Sequence, residues 1–521
     1  MNSRLVKQTL FTAALVTVGG NILGRLFGYA REALVAKAFG TSAILDTFLV
    51  AFTIPEVLTF IIFAAIPTGV ISSSSRIAGD DNDRQASLFW KGLIAFGATL
   101  GTMTAALYLF RDPLLNWLAP EMRPDLVPVA RHLFAILVSV IFFRGMEAYF
   151  RAWLFRRKHF AIPAMSSFVL NGAIVASLML APGGASIVAL AYGWLIASVT
   201  LFFLHAATAF GLLRPSPRLN HAALAPMFRM TLSVAAIEAA FLVFPAIDRY
   251  LALRYLGEGE IAALRYALFV SQLPPGMLVV TFSAAAFPWI TDLAADMEPE
   301  KLKEFYRDTV RMVLYVMLPV VTGMIIFSYE LIQVAFQRGA FDRYSVELTS
   351  GPLYYYSLGL LFYSVYFYQI RYYYAKQLLA RLGVVLAVSL AIKLVASMLL
   401  ISRLGHNGLA LATSIAWLSS FLIMTVDLKR TAGLSFISGS RRFVFRATPA
   451  LAVTIVFWYF IADLWVATGA YTLLARALRM LAIGVMGMGV YLTLGMIFHT
   501  PEAIRLRDAF YGRAKRLLSR Q

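Results

Sequence analysis

The 521-residue sequence contains no cysteine. That excludes disulfides, thiolate metal sites and cysteine nucleophiles. Charge is scarce as well: Asp, Glu, Lys and Arg make up 14% of the chain, against about 25% in a soluble globular domain. The six histidines lie mostly at the ends of apolar runs, and no two stand at metal-ligand spacing. Glycine-rich phosphate loops and a G-x-S-x-G elbow are both absent. No A-x-A-like cleavage site follows the start MNSRLVKQTLFTAALV, so the first apolar segment is expected to be retained as a span. Long polar insertions are missing; the longest polar connections are residues 72–87 and 291–308.

What is present is apolar length. Hydrophobic residues make up 60% of the chain, and runs of about 20 residues, enough to cross the hydrocarbon of a bilayer, recur throughout. About 14 candidate spans follow, near 11–30, 46–70, 88–110, 127–150, 161–181, 186–211, 231–253, 263–290, 311–335, 351–374, 379–401, 407–427, 443–463 and 476–498. The expected fold class is an all-α polytopic membrane protein. The net charge of +19 sits in short scattered loops, so it reports orientation and anionic lipid rather than nucleic acid. With a cytoplasmic N-terminus the inner connections and tails hold about 30 Lys and Arg and the outer ones about 11. Both ends are therefore expected in the cytoplasm.

The chain repeats itself with a period of about 220 residues. LDTFLVAFTIPE (45–56) aligns with LRYALFVSQLPP (264–275), placing Pro55 on Pro274; Arg151 aligns with Arg371, and VALA (188–191) with LALA (409–412). Six spans per repeat is an even number, so both halves share one orientation, as in transporters built from parallel repeats. The expected organisation is an N-terminal lobe over 1–215, a C-terminal lobe over 216–430, two additional spans over 431–499 and a basic tail over 500–521. Prolines at matching places in spans two and eight point to a site at the centre, because a proline frees a carbonyl that only protein or water can satisfy.

Charges inside spans are expensive, about 2.5–3.5 kcal/mol at the bilayer centre on insertion scales. GRLFGYAREALVAKAFGTSAILD (24–46) nevertheless carries Arg25, Arg31, Glu32, Lys37 and Asp46 in and beyond the first span. Gly20, Gly24 and Gly28 recur every four residues around Arg25, a spacing that admits a close helix neighbour. Glu56 follows Pro55. Arg144 and Glu147 are three apart on span four, near enough to pair on one helix face. Glu238, Asp248 and Arg249 lie on span seven and Lys393 on span eleven. As a set, these residues suit a hydrated cavity rather than a lipid-facing surface. The candidate binding cations are Arg25, Arg31 and Arg144, and the candidate acidic or coupling residues are Glu32, Asp46, Glu56, Glu147, Glu238 and Asp248. The tyrosine-dense stretch LYYYSLGLLFYSVYFYQIRYYY (353–374) reads as an interface belt with packing.

GRLFGYAREALVAKAFGTSAILDTFLVAFTIP resembles the first two helices of the MurJ (MviN) family of lipid II flippases, whose pattern is S-R-x-x-G-x-x-R-D, then A-x-x-F-G, D-x-F-x-V-A-F and a proline. FPAIDRYLALRYLGEGEIAALRYA…LPPG is similar to the family's seventh and eighth helices, FQRGAFDRYSVELTSGPLYYYSLGL to its ninth-to-tenth connection, and GHNGLALATSIAW to the start of its twelfth helix. The resemblance covers spans one to twelve. It implies the fold of the multidrug/oligosaccharidyl-lipid/polysaccharide exporters: two six-helix lobes around a cavity, with two extra helices bordering a groove for a lipid tail. Arg25 and Arg31 match the family's first-helix arginines, Glu32 stands where an aspartate is usual, and Asp46 matches the aspartate opening the second helix. Thr59 and Phe60 replace arginines after the second-helix proline, and Phe269 replaces one in the eighth helix.

The implied function is a flippase carrying a polyprenyl-diphosphate-linked saccharide from the cytoplasmic to the outer leaflet of the bacterial inner membrane. Lipid II for peptidoglycan is the cargo the resemblance favours; an O-antigen or exopolysaccharide repeat unit is the cargo the altered cavity charges favour. A multidrug exporter and a membrane glycosyltransferase or polymerase are the remaining alternatives. Asp46, Glu56 and Glu238 are expected to pair with the arginines when the site is empty. No cofactor is expected beyond a coupling ion of unread identity. The expected partners are membrane lipids and the lipid-linked substrate, with the chain acting as a monomer near cell-wall or polysaccharide synthesis enzymes.

Overall fold

The computed structural model describes residue 20 and residues 23–508, apart from 79–81, 158, 213–223, 280–282, 284–289, 291–298, 377, 437–439 and 467–471. The chain forms two compact units, 1–262 with 338–342, and 263–337 with 343–521. The first contains α1 (residues 23–39), α2 (Ala43–Ala78), α3 (Asn82–Leu109), α4 (Arg111–Leu118), α5 (Val127–Arg156), α6 (Ala161–Met179), α7 (Ile187–Leu212) and α8 (Ala225–Tyr255). Next comes α9 (Glu260–Met277), which starts at the boundary. The second unit continues with α10 (Pro299–Ile326), α11 (Ser328–Phe336), α12 (Arg343–Ala375), α13 (Leu379–Leu404), α14 (His406–Ala432), α15 (Ser440–Val466), α16 (Leu473–Ile497) and α17 (residues 501–508). Among the described residues there is no strand, only an isolated bridge between Arg338 and Phe341.

Among the described residues each expected span falls on helix, that at 311–335 on two, α10 and α11, and ten of the described helices are long and apolar enough to cross a membrane. The spans expected at 11–30 and 263–290 lie partly outside the described residues. The first helix runs to residue 39, so Arg31, Glu32 and Lys37 are helical rather than beyond its end. The connection expected at 72–87 is mostly helical, because α2 continues to Ala78 and α3 begins at Asn82. Both α2, through Pro55 and Pro67, and α9, through Pro274 and Pro275, are continuous helices. The expected lobe boundary at 215/216 follows the repeat; the compact units divide at 262/263, since α8 packs along α2.

Apolar side chains gain nothing by leaving lipid for each other, so helix contacts in a membrane depend on close fit. Gly24 and Gly28 of α1, and Gly20 ahead of it, lie against Ser167, Asn171 and Ala164 of α6. The core of the first unit gathers Phe89, Phe96, Tyr149 and Trp153 from α3 and α5, with the Tyr149 hydroxyl donating to the Phe89 carbonyl at 2.6 Å. The repeat appears in helix partners: α5 and α6 pack on α7, as α12 and α13 pack on α14. In the second unit α15 and α16 pack on each other and on α10, with Trp458 laid over Gly323 and Gly487.

Three connections of the first unit interlock. Gly40, Gly259 and Gly339 all have positive φ (+57°, +85° and +60°), which disfavours any residue with a Cβ. A Cβ on Gly40 would strike the Ala340 carbonyl, one on Gly259 the Thr41 carbonyl, and one on Gly339 the Lys37 carbonyl. The Ala340 amide donates to Lys37 O at 2.8 Å.

Candidate functional site

The nine singled-out charges of the first unit fall into separate clusters. On α1, Arg31 donates to the neighbouring Glu32 carboxylate at 2.5 Å and to Asn171 Oδ1 of α6 at 2.8 Å. Its guanidinium lies 5.3 Å from the centre of the Trp194 ring on α7, within cation–π range. Asn171 is itself fixed, donating to the Gly24 and Ser167 carbonyls at 3.1 and 2.8 Å. Arg31 is thus held on three sides by a carboxylate, an amide and an indole. Arg25, a turn and a half earlier, is exposed.

Deeper in the unit, α5 carries the ion pair expected from its spacing. Arg144 Nη1 donates to Glu147 Oε2, and the side chains are 10% and 0% exposed. The Arg144 guanidinium lies 4.3 Å from the centre of the Phe63 ring of α2, and Arg151 lies 4.7 Å from the same ring. Beyond Glu147 the network continues to α7 and α6. His205 Nε2 stands 4.0 Å from Glu147 Oε1 and 3.3 Å from Ser166 Oγ. About 12 Å of helix separates Arg31 from the end of α1, and about 25 Å separates Arg144 from the start of α5. The two arginines therefore lie at different depths.

The expected partnership of Asp46, Glu56 and Glu238 with these arginines is not what forms. Asp46 accepts the backbone amides of Gly259 at 2.6 Å and Ala262 at 2.9 Å. It satisfies two of the donors that the first turn of α9 leaves without intrahelical acceptors, acting as a cap from another segment. Glu56 binds Arg249 of α8 at 2.6 Å, with Arg249 also reaching Thr53 Oγ1 at 3.4 Å, so this pair ties α2 to α8. Glu238 is half-buried on α8 and has no ion-pair partner among the described residues; Asp248 is buried on the same helix. The carboxylates that hold the arginines are local ones, Glu32 and Glu147, because a neighbour on the same helix loses least entropy in pairing.

Near the cap, Arg123 pairs with Asp125 at 2.6 Å and with Glu258 at 2.8 Å. Hydrogen bonding to Asp125 and then to Glu258 holds the guanidinium above its usual range, and Arg123 holds Asp125 below the usual carboxylate range. These groups are exposed and weakly coupled. They border a cleft of about 130 Å³ that Asp46 and Glu121 also line.

Residue types alone did not single out Asn171, Trp194, His205 or Phe63. Asn171 and His205 carried a usable signal, each being a polar group in the interior of an apolar run. Trp194 and Phe63 carried none, since aromatics are ordinary in such helices. In the second unit, α12 and α14 are joined by the Tyr373 hydroxyl, which donates to Asp427 Oδ2 at 2.6 Å, and by Gln369, which also reaches Tyr306 of α10. Gln369 Nε2 donates to Thr425 Oγ1 at 2.9 Å and to the Tyr306 hydroxyl at 3.0 Å. Among the described residues no three His, Cys, Asp or Glu side chains gather as a metal would require.

Comparison with known proteins places this arrangement. The family described as lipid II flippase MurJ matches residues 35–480. A probable lipid II flippase MurJ of Bdellovibrio bacteriovorus is 24% identical over 522 residues, covering 96% of this chain and 97% of its own. That of Rhizobium tropici is 26% identical, covering 80% of each chain. The fold is that of a solved lipid II flippase MurJ in an inward closed conformation, with a TM-score of 0.77 at 20% identity over 93% of this chain and 99% of the other. A family match across the body of both units, together with the fold, makes this chain a member of the MurJ family.

Proposed function

We propose that this protein is a transporter that moves lipid II from the cytoplasmic to the outer leaflet of the bacterial inner membrane, by alternating access and without catalysing a covalent reaction. The carrying observation is that arginines on membrane-spanning helices of the first unit are each held by a carboxylate, Arg144 by Glu147 and Arg31 by Glu32. A diphosphate cannot enter hydrocarbon bare, and a guanidinium supplies bidentate donors in place of its lost water. Glu147 and Glu32 are resting counterions that the head group displaces. Exchange of one anion for another keeps the guanidinium paired throughout, so that the arginine itself is never the unpaired buried charge.

The difference in depth orders the steps. With both termini cytoplasmic, as the Lys/Arg distribution over the loops supports, Arg144 lies in the deeper half and Arg31 nearer the outer surface. Arg144 and Arg25, at about the same depth, receive the head group from the cytoplasmic side, and Arg31 receives it before release. The polyprenyl tail remains in lipid, and the chain works as a monomer. The test is transport by reconstituted protein: Arg144→Ala and Arg31→Ala each abolish outward movement of lipid II at equal expression. Unchanged transport in both variants overturns the assignment of these residues.

A further inference from the structure

The neutral tautomer of His205 is fixed by its surroundings. Nδ1 stands 2.8 Å from the Leu201 carbonyl one turn earlier on α7, a partner that only an N–H can satisfy. Nε2 then carries the lone pair, which faces Ser166 Oγ at 3.3 Å and, at 4.0 Å, Glu147 Oε1. The ring and the carboxylate are both fully buried. Glu147 Oε2 is taken by Arg144, whereas Oε1 has no hydrogen-bond partner. A basic nitrogen and an unused carboxylate oxygen thus face each other at 4.0 Å, beyond hydrogen-bond reach, so that a proton on Nε2 pairs with Glu147 only once the carboxylate moves toward the ring. The charged groups acting on the ring are Glu147, Arg151 and Arg144, all from α5; α6 contributes Ser166.

We propose that His205 is the proton-binding site of this transporter, and that protonation at Nε2 draws Glu147 away from Arg144 and frees the guanidinium for an anionic head group. The inference rests on the function proposed above and names its coupling ion. The proton comes from water and returns to it, with no covalent change elsewhere. Imidazolium and guanidinium compete for a single carboxylate, so loading a proton on one side of Glu147 prepares Arg144 on the other. Imidazole is the side chain suited to this task, because its charge changes near physiological pH.

In the second unit α12 and α14 meet through Gln369 and Thr425 and through the Tyr373 hydroxyl, which donates to Asp427 Oδ2 at 2.6 Å, so that interface pairs its carboxylate with a phenol where the first unit pairs Glu147 with Arg144.

The experiment is binding of farnesyl diphosphate, a short polyprenyl diphosphate, to the full-length protein in detergent between pH 8 and pH 6. The probe loses negative charge over this range, so a simple electrostatic site binds it more weakly at pH 6. The switch predicts the reverse for the wild type, about tenfold tighter binding at pH 6. His205→Gln binds weakly and without this rise. Glu147→Gln binds tightly at both pH values, because Arg144 has lost its competitor. If His205→Gln does not fold, Glu147→Gln decides by itself. A wild type that binds with no rise, or a rise that survives in both variants, overturns the proton switch and leaves the transport function standing. A wild type that binds neither farnesyl diphosphate nor lipid II at any pH overturns both.

Discussion

Replacing Arg144 by methionine strands the Glu147 carboxylate in the interior of the first unit. The pair is formed on one helix, its acidic member is fully buried and its basic member is 10% exposed, so solvent cannot take over the role of the guanidinium. Breaking a buried pair by removing one partner costs about 3–5 kcal/mol, most of it the penalty of the charge left behind. Removing both partners leaves no such charge, and an apolar replacement of similar volume is close to neutral. Arg144→Met is therefore expected to lose about 3–5 kcal/mol, and Arg144→Met with Glu147→Met to recover most of that loss. The assay is a double-mutant cycle on the unfolding of detergent-solubilised protein. A loss below about 1 kcal/mol for Arg144→Met, the value of an exposed pair, would refute the reasoning, since water would then reach Glu147.

Asp46→Ala removes the acceptor of two backbone amides at the start of α9; a loss of about 1–3 kcal/mol is expected, read by the same unfolding assay. Gly339→Ala forces a Cβ onto the Lys37 carbonyl at a positive φ and destabilises by more than about 1 kcal/mol, whereas Gly183→Ala, with nothing within 4 Å, meets only the backbone cost. Burial pushes the Glu502 carboxyl above its ordinary range, outside the spans. The folded state then holds its proton more tightly than the unfolded chain. Its contribution is present in acid and lost as pH rises through the folded value, so Glu502→Gln flattens the fall in melting temperature as pH rises above the ordinary carboxylate range.

Much of the fold was legible because apolar length and loop charge are properties of the chain itself. Among the described residues each expected span met helix, and the repeat surfaced as matching helix partners. The connection at 72–87 was misread because its serines and charges extend α2 and α3 past the apolar core, where polarity no longer distinguishes helix from loop. Within the site, the Arg144–Glu147 pair was readable from a three-residue spacing, which is geometry internal to one helix. Asp46 was not. Its partners, the amides of Gly259 and Ala262, lie more than 200 residues away, and backbone donors leave no mark on composition. The same holds for Glu56, whose choice of Arg249 depends on how α8 lies against α2. Gly40, Gly259 and Gly339 stand in stretches that resemble family motifs, and their interlocking carbonyl contacts give those glycines a physical reason that no single stretch displays.

The central claim is that this chain carries lipid II across the membrane. It is tested most directly by expressing the gene in a bacterium whose own lipid II flippase can be switched off, and scoring survival together with lipid II in the outer leaflet. The account predicts rescue by the wild-type chain, and none by Arg31→Ala or Arg144→Ala present in the membrane at equal amount. Failure of the wild-type chain, shown folded in the membrane, would contradict it and point to a different lipid-linked glycan as the cargo.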